Sequence, residues 1–64
     1  MQRLKQFLLD SNMTQAQLAE RMGVSQPTVW EWVHGESRPS FDRLISISKI
    51  TGISIDELVK EETA

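Results

Sequence analysis

The stretch TQAQLAERMGVSQPTVWEWVHG, Thr14 to Gly35, places two short amphipathic helix patterns on either side of a Gly-Val-Ser break. So short a connection keeps the second helix beside the first, and a tight turn containing Gly sets such a pair steeply to each other. Thr14 caps the first helix, and Gln17 three residues on completes a capping box in which each side chain satisfies a free backbone N–H of the other. Ala16, Leu18, Ala19 and Met22 supply its small and apolar packing, and Gly23 stops it. Ser25 caps the second helix, from about Gln26 to His34, with Val29, Trp32 and Val33 inward and Gly35 at its end. Pro27 falls in the first turn, where a missing N–H costs little.

The same start and stop signals recur along the chain, and no segment alternates with the period of a strand. A first helix is predicted from about Gln2 to Asp10, with Leu4, Phe7 and Leu8 on one face and Asn12 suited to a left-handed helix end. ESRPS reads as a loop. Ser40 then caps a fourth helix with Phe41, Leu44, Ile47 and the more marginal Ile50 inward, closed by Gly52. Ser54 and Glu57 form a second capping box that opens a short last helix with Leu58 and Val59.

The expectation is an all-α, compact five-helix fold, a single domain over residues 1–64, because 64 residues have room for one small core. With no Cys, neither disulfides nor thiolate metal sites can staple it, so the core comes from apolar residues alone. With one His and no Gly-rich phosphate loop, no triad or metal cluster can be assembled; no enzyme activity, metal, cofactor or small-molecule ligand is expected. His34 sits at a helix C-terminus, where a cationic residue is favourable. No apolar run approaches the roughly 20 residues of a membrane span, and MQRLKQFLLD lacks the apolar region and cleavage site of a signal peptide. A soluble, cytoplasmic protein is expected.

The net charge of -2 and pI near 5.2 argue mildly against a partner that needs a basic surface, such as nucleic acid. The distribution weakens that objection. Asp56, Glu57, Glu61 and Glu62 stand against Lys60 alone, a local sum of -3, which leaves +1 for residues 1–55. The acid gathers in a solvated C-terminal end.

Two short helices joined through MGVS form a helix-turn-helix, whose second helix can enter a DNA major groove. The residues around the turn sharpen that reading. TQAQLAERMGVSQPTV looks like T-Q-x-x-L-A-x-x-x-G-V-S-x-x-x-I, Trp32 and Gly35 match W-x-x-G, and RPSFDRLISISKITGISIDEL looks like R-P-S-x-x-x-L-x-x-I-x-x-x-x-G-[IV]-S-x-[DE]-x-L. With these patterns the chain resembles, over nearly its whole length, the Cro/repressor-like (lambda-repressor-like, XRE-type) DNA-binding domains. The resemblance implies a five-helix lambda-repressor-like domain that binds double-stranded operator DNA, as a two-fold homodimer, to control transcription. Without a second domain for induction, the chain looks more like a Cro-type repressor than a full repressor.

By that resemblance, Gln15 at the start of helix 2 bonds a phosphate, helped by the amides of the helix N-terminus. Gln26 matches the position that reads a base; its amide can donate to N7 and accept from N6–H of adenine. Pro27 can touch a thymine methyl, and Thr28 serves phosphate or base. Arg38 matches a basic loop position that meets phosphate, and Arg43 is a weaker candidate of the same kind. Ser25 and Ser40, helix caps first, complete the candidate DNA contacts.

Three departures from the family pattern stand out. Glu31 replaces a basic or amide residue, and in the groove it can accept from cytosine N4–H. Trp30 sits where small residues are common, and packing on DNA sugar and methyl groups, or on a neighbouring loop, suits its size. Leu8 and Val33 replace an Arg and a Glu that form a partly buried ion pair in family members. Apolar groups in both places can pack together without penalty, which predicts that Leu8 and Val33 meet. Leu9 is left over, as an edge residue or part of a partner surface. Ile53, Ile55 and Val59 are candidate dimer contacts, and a two-fold pair would set the recognition helices about 34 Å apart, one DNA turn. The competing reading, favoured by the acidic pI and Glu31, is a protein interaction module or antirepressor that does not bind DNA.

Overall fold

In the computed structural model, residues 1–60 are described, and Glu61 and Glu62 of the acidic end lie outside the described residues. Five helices follow in order: α1 (Gln2–Ser11), α2 (Gln15–Met22), α3 (Gln26–His34), α4 (Phe41–Thr51) and α5 (Ile55–Lys60). Each begins and ends close to where the capping residues predict. Thr14 and Gln17 form the reciprocal capping box, with Thr14 N donating to Gln17 Oε1 at 2.9 Å and Gln17 N to Thr14 Oγ1 at 3.0 Å. Ser25, Ser40 and Ser54 cap α3, α4 and α5 by accepting from the amides of Thr28, Arg43 and Glu57. Asn12 takes the left-handed conformation at the end of α1, with φ of 58°, as an Asn does at modest cost.

The core is built from one stripe of each helix. Leu4 and Leu8 of α1, Leu18, Ala19 and Met22 of α2, Val29, Trp32 and Val33 of α3, Ile47 of α4 and Leu58 of α5 form one buried cluster, joined by Met1 and Ile53. Leu4, Leu18, Val29, Ile47 and Leu58 lose all solvent contact, so each helix contributes a fully buried apolar anchor. Burying one such side chain stabilises the fold by about 1.5–3 kcal/mol. Leu8 and Val33 are both buried in this cluster and line the same cleft between α1 and α3.

Four expectations need correction. Phe41 is 66% exposed: it is the first residue of α4, and the packed face of that helix starts one turn later, with Leu44 and Ile47. Ala16 is exposed, because two residues before Leu18 is about 200° round the helix from it. Ile53, a candidate dimer contact, belongs to the core at 7% exposure, its backbone N–H bound to Thr51 Oγ1. Of the second capping box, the bond from the Glu57 amide to Ser54 Oγ is present, and the Glu57 carboxylate lies 4.0 Å from Arg3 Nε of α1, a partner outside the box. That exposed pair links α5 to α1 but contributes little, because solvent screens it.

The N-terminus of α1 also bears on α3. The Met1 ammonium donates to the carbonyls of Trp32 at 3.0 Å and Val33 at 3.4 Å. These carbonyls lie in the last turn of α3, where the chain leaves acceptors unpaired and the helix dipole favours a cation. The start of the chain thus holds the end of α3 in place.

Candidate nucleic-acid interface

The turn between α2 and α3 is fixed from both sides. Gly23 adopts φ of 70°, and its N–H donates back to Glu20, while Val24 donates to the Ala19 carbonyl at 3.0 Å. A Cβ at position 23 would meet nothing within 4 Å, so the demand for Gly is one of backbone conformation and not of space. Ser25 then closes the turn: its Oγ accepts from Thr28 N and lies 2.8 Å from Thr28 Oγ1. The half-buried Thr28 hydroxyl thereby takes part in the cap, and either hydroxyl of the pair can be the donor.

From this turn α3 emerges with two exposed rows. Side chains four apart on a helix are neighbours, which puts Gln26, Trp30 and His34 in one row and Pro27 and Glu31 in the next. All five are exposed. Gln26, the first residue of α3, is exposed, and Pro27 fills the first turn as the sequence predicts. Trp30 is 45% exposed and its ring stacks on His34, centroids 4.1 Å apart and planes 19° from parallel. The indole thus packs on a neighbour in its own helix, where the sequence reading offers DNA or a loop.

Glu31 is tied to the loop that follows. Its carboxylate accepts from Ser37 Oγ at 3.1 Å, and its carbonyl accepts from the N–H of Glu36 at 2.8 Å. A hydroxyl donor holds that carboxylate at one edge of the row. The bond is exposed and exchangeable, so the oxygens remain able to accept from a base amino group.

Of the remaining sequence candidates, Gln15 is half-buried at the first position of α2 and lines one cleft with Lys5, Leu9 and His34. Arg38 is exposed in the α3–α4 loop, and Ser40 is the α4 cap. Arg43 also has a partner within the fold: Nη1 donates to the Met22 carbonyl at 3.2 Å. Met22 is the last residue of α2, so this guanidinium caps the helix just before the turn. Sequence reasoning missed that bond, since nothing in the order of residues pairs positions 22 and 43. It also missed the Trp30–His34 stack, although the spacing of four was there to be read. Leu9 is 65% exposed beside the α1–α3 cleft, and Ile55 and Val59 are half-exposed on α5.

The charge pattern agrees with a division of labour between the helices. The exposed rows of α3 carry one carboxylate, Glu31, while Asp56 and Glu57 stand on α5, which packs on α4 and α1. Among the described residues no helix is long and apolar enough to cross a membrane.

A sequence model of the helix-turn-helix family matches residues 4–58. The chain belongs to the helix-turn-helix family. This helix-turn-helix domain is 38% identical over 61 residues to the HTH-type transcriptional activator BcrR of Enterococcus faecalis, covering 95% of the chain and 30% of that protein. It is 32% identical over 60 residues to the HTH-type transcriptional regulator YqaE of Bacillus subtilis, with 94% of the chain and 52% of the relative covered. It is also 40% identical over 47 residues to the cryptic phage CTXphi transcriptional repressor RstR of Vibrio cholerae, with 73% of the chain and 42% of the relative covered. The helix-turn-helix domain thus spans between 30% and 52% of the length of these three relatives. No solved structure gives a significant match.

Proposed function

We propose that this domain binds double-stranded DNA sequence-specifically and represses transcription, as a homodimer on a palindromic operator, with α3 in the major groove. The observation that carries the reading is the exposed pair of rows on α3, set just beyond a turn whose caps are all satisfied. Gln26 and Pro27 stand at the entering end of the helix, where an amide can read adenine and a ring can meet a thymine methyl. Glu31, one turn on, accepts from cytosine N4–H. Gln15 and Arg38 flank this helix as phosphate contacts that set its depth and angle. Ser25, Thr28 and Ser40 act through their caps, holding the ends of α3 and α4 where these contacts need them.

Relatives named as transcriptional regulators support regulation, and the similarity to RstR, named as a repressor, supports repression. Half-exposed Ile55 and Val59 on α5 are the proposed dimer contacts. They lie on the helix that also carries Asp56 and Glu57, away from the exposed rows of α3.

The test is selection of bound sequences from a random duplex pool, followed by titration of the winner at two salt concentrations. Enrichment of a palindrome with half-sites about one turn apart, with affinity falling as salt rises, supports the reading. No enrichment, and weak binding at low salt as well, would overturn it in favour of a protein partner. Gln26→Ala should cost about 1–3 kcal/mol on the selected site and relax preference at one base pair. An unchanged preference would remove Gln26 from base reading.

A further inference from the structure

Trp30 is the largest exposed side chain on α3, and a flexible indole on a binding face loses freedom when it meets a surface. Here that freedom is already limited. The His34 ring lies parallel to the indole at 4.1 Å, and His34 Nδ1 is 2.9 Å from the Trp30 carbonyl oxygen. A carbonyl only accepts, so Nδ1 carries the proton, and in the neutral ring Nε2 is the bare nitrogen. The ring is therefore held at two places, by its face against the indole and by its edge on the backbone. Helical side chains lean toward the N-terminus; His34 leans over Trp30, and Trp30 leans toward Gln26. The order of the row runs from brace to plate to base reader.

Resting on the DNA-binding reading above, we propose that His34 is a positioning residue that holds Trp30 as a pre-ordered apolar plate against DNA sugars and thymine methyl groups. Stacked aromatic pairs contribute beyond their buried area, and ordering one side chain before binding removes a penalty equivalent to about 2- to 12-fold in affinity. No residue of the family pattern supplies this arrangement, because the pattern places a small residue where Trp30 stands.

The experiment is a double-mutant cycle on the operator obtained by selection, using Trp30→Ala, His34→Ala and both together, each first checked for an unchanged thermal melt. His34→Ala should weaken binding by about 2- to 12-fold when Trp30 is present and have no effect when Trp30 is Ala. His34→Phe, which keeps a stacking face without the imidazole nitrogens, should restore most of the loss with an unchanged salt slope. Equal effects of His34→Ala in both backgrounds, or a slope reduced by about 0.9, would overturn the proposal and make His34 a contact in its own right. A second readout needs no DNA: in the free protein the indole N–H of Trp30 should be ordered on the nanosecond timescale, and mobile in His34→Ala. An indole equally mobile in both would also overturn it. Failure of the wild-type chain to select any operator would instead sink the DNA-binding reading, while loss of binding by Trp30→Ala without coupling to His34 would sink the brace alone.

Discussion

Removing the Arg43 guanidinium tests whether this residue serves the fold or the DNA. In the structure its Nη1 donates to the Met22 carbonyl at 3.2 Å across 21 residues of chain, tying the first turn of α4 to the last turn of α2. A hydrogen bond from a charged donor stabilises by about 1.5–3 kcal/mol, and a cation at a helix C-terminus by about 0.3–1 kcal/mol. Arg43 is exposed, so solvent screens part of both, and Arg43→Gln should cost about 1–2 kcal/mol. For a domain of this size that lowers the melting temperature by roughly 5–15 °C, read by circular dichroism. Arg43→Lys keeps the charge near the carbonyl and should recover part of the loss. Titrated on operator DNA at several salt concentrations below its melting point, Arg43→Gln should keep the wild-type salt slope, whereas Arg38→Ala should lower it by about 0.9. An unchanged melting temperature, with a slope lowered as in Arg38→Ala, would refute the argument and return Arg43 to the phosphate backbone.

Gly23→Ala should cost about 1–2 kcal/mol from the left-handed conformation alone, visible as a lower urea midpoint with an unchanged m-value. A loss well above that range would mean that crowding, and not φ, governs the position. Leu18→Ala empties the core and should cost about 2–5 kcal/mol, while Phe41→Ala, at the exposed start of α4, should stay within about 0.5 kcal/mol. A large loss for Phe41→Ala would show that its ring is covered in solution.

The fold was legible because each helix carries its own punctuation. Thr14, Ser25, Ser40 and Ser54 mark four starts, Asn12 and three Gly residues mark four ends, and each interval supplies apolar residues to the core. Such signals are local, and a reader of the chain sees everything that acts. The errors have the opposite character. Phe41 looks like a core residue by spacing, but whether a helix's first turn meets a partner depends on where the other helices stop. Ile53 is offered by the sequence as a dimer contact, yet it is buried in the core cluster. The bond from Arg43 to the Met22 carbonyl spans 21 residues of chain, and only the fold reveals it. On α3, Gln26 and Pro27 could be placed at the exposed start of the helix from position alone, since that start is defined by the Ser25 cap. The partners of Glu31 and Trp30 could not, because they depend on the side chains around them.

The bonds of Glu31 to the loop have a consequence for how such a domain changes its target. A residue proposed to face bases that also fastens the loop carrying Arg38 cannot be exchanged as an independent letter. Replacing Glu31 by a side chain with no acceptor, such as Lys, would take away the partner of the Ser37 hydroxyl while the Glu36 amide keeps the backbone carbonyl of position 31, so the loop that carries Arg38 would lose one of its ties in the same step. New specificity at this position therefore travels with a compensating change at position 37, and variants selected for a new operator should carry the two substitutions together.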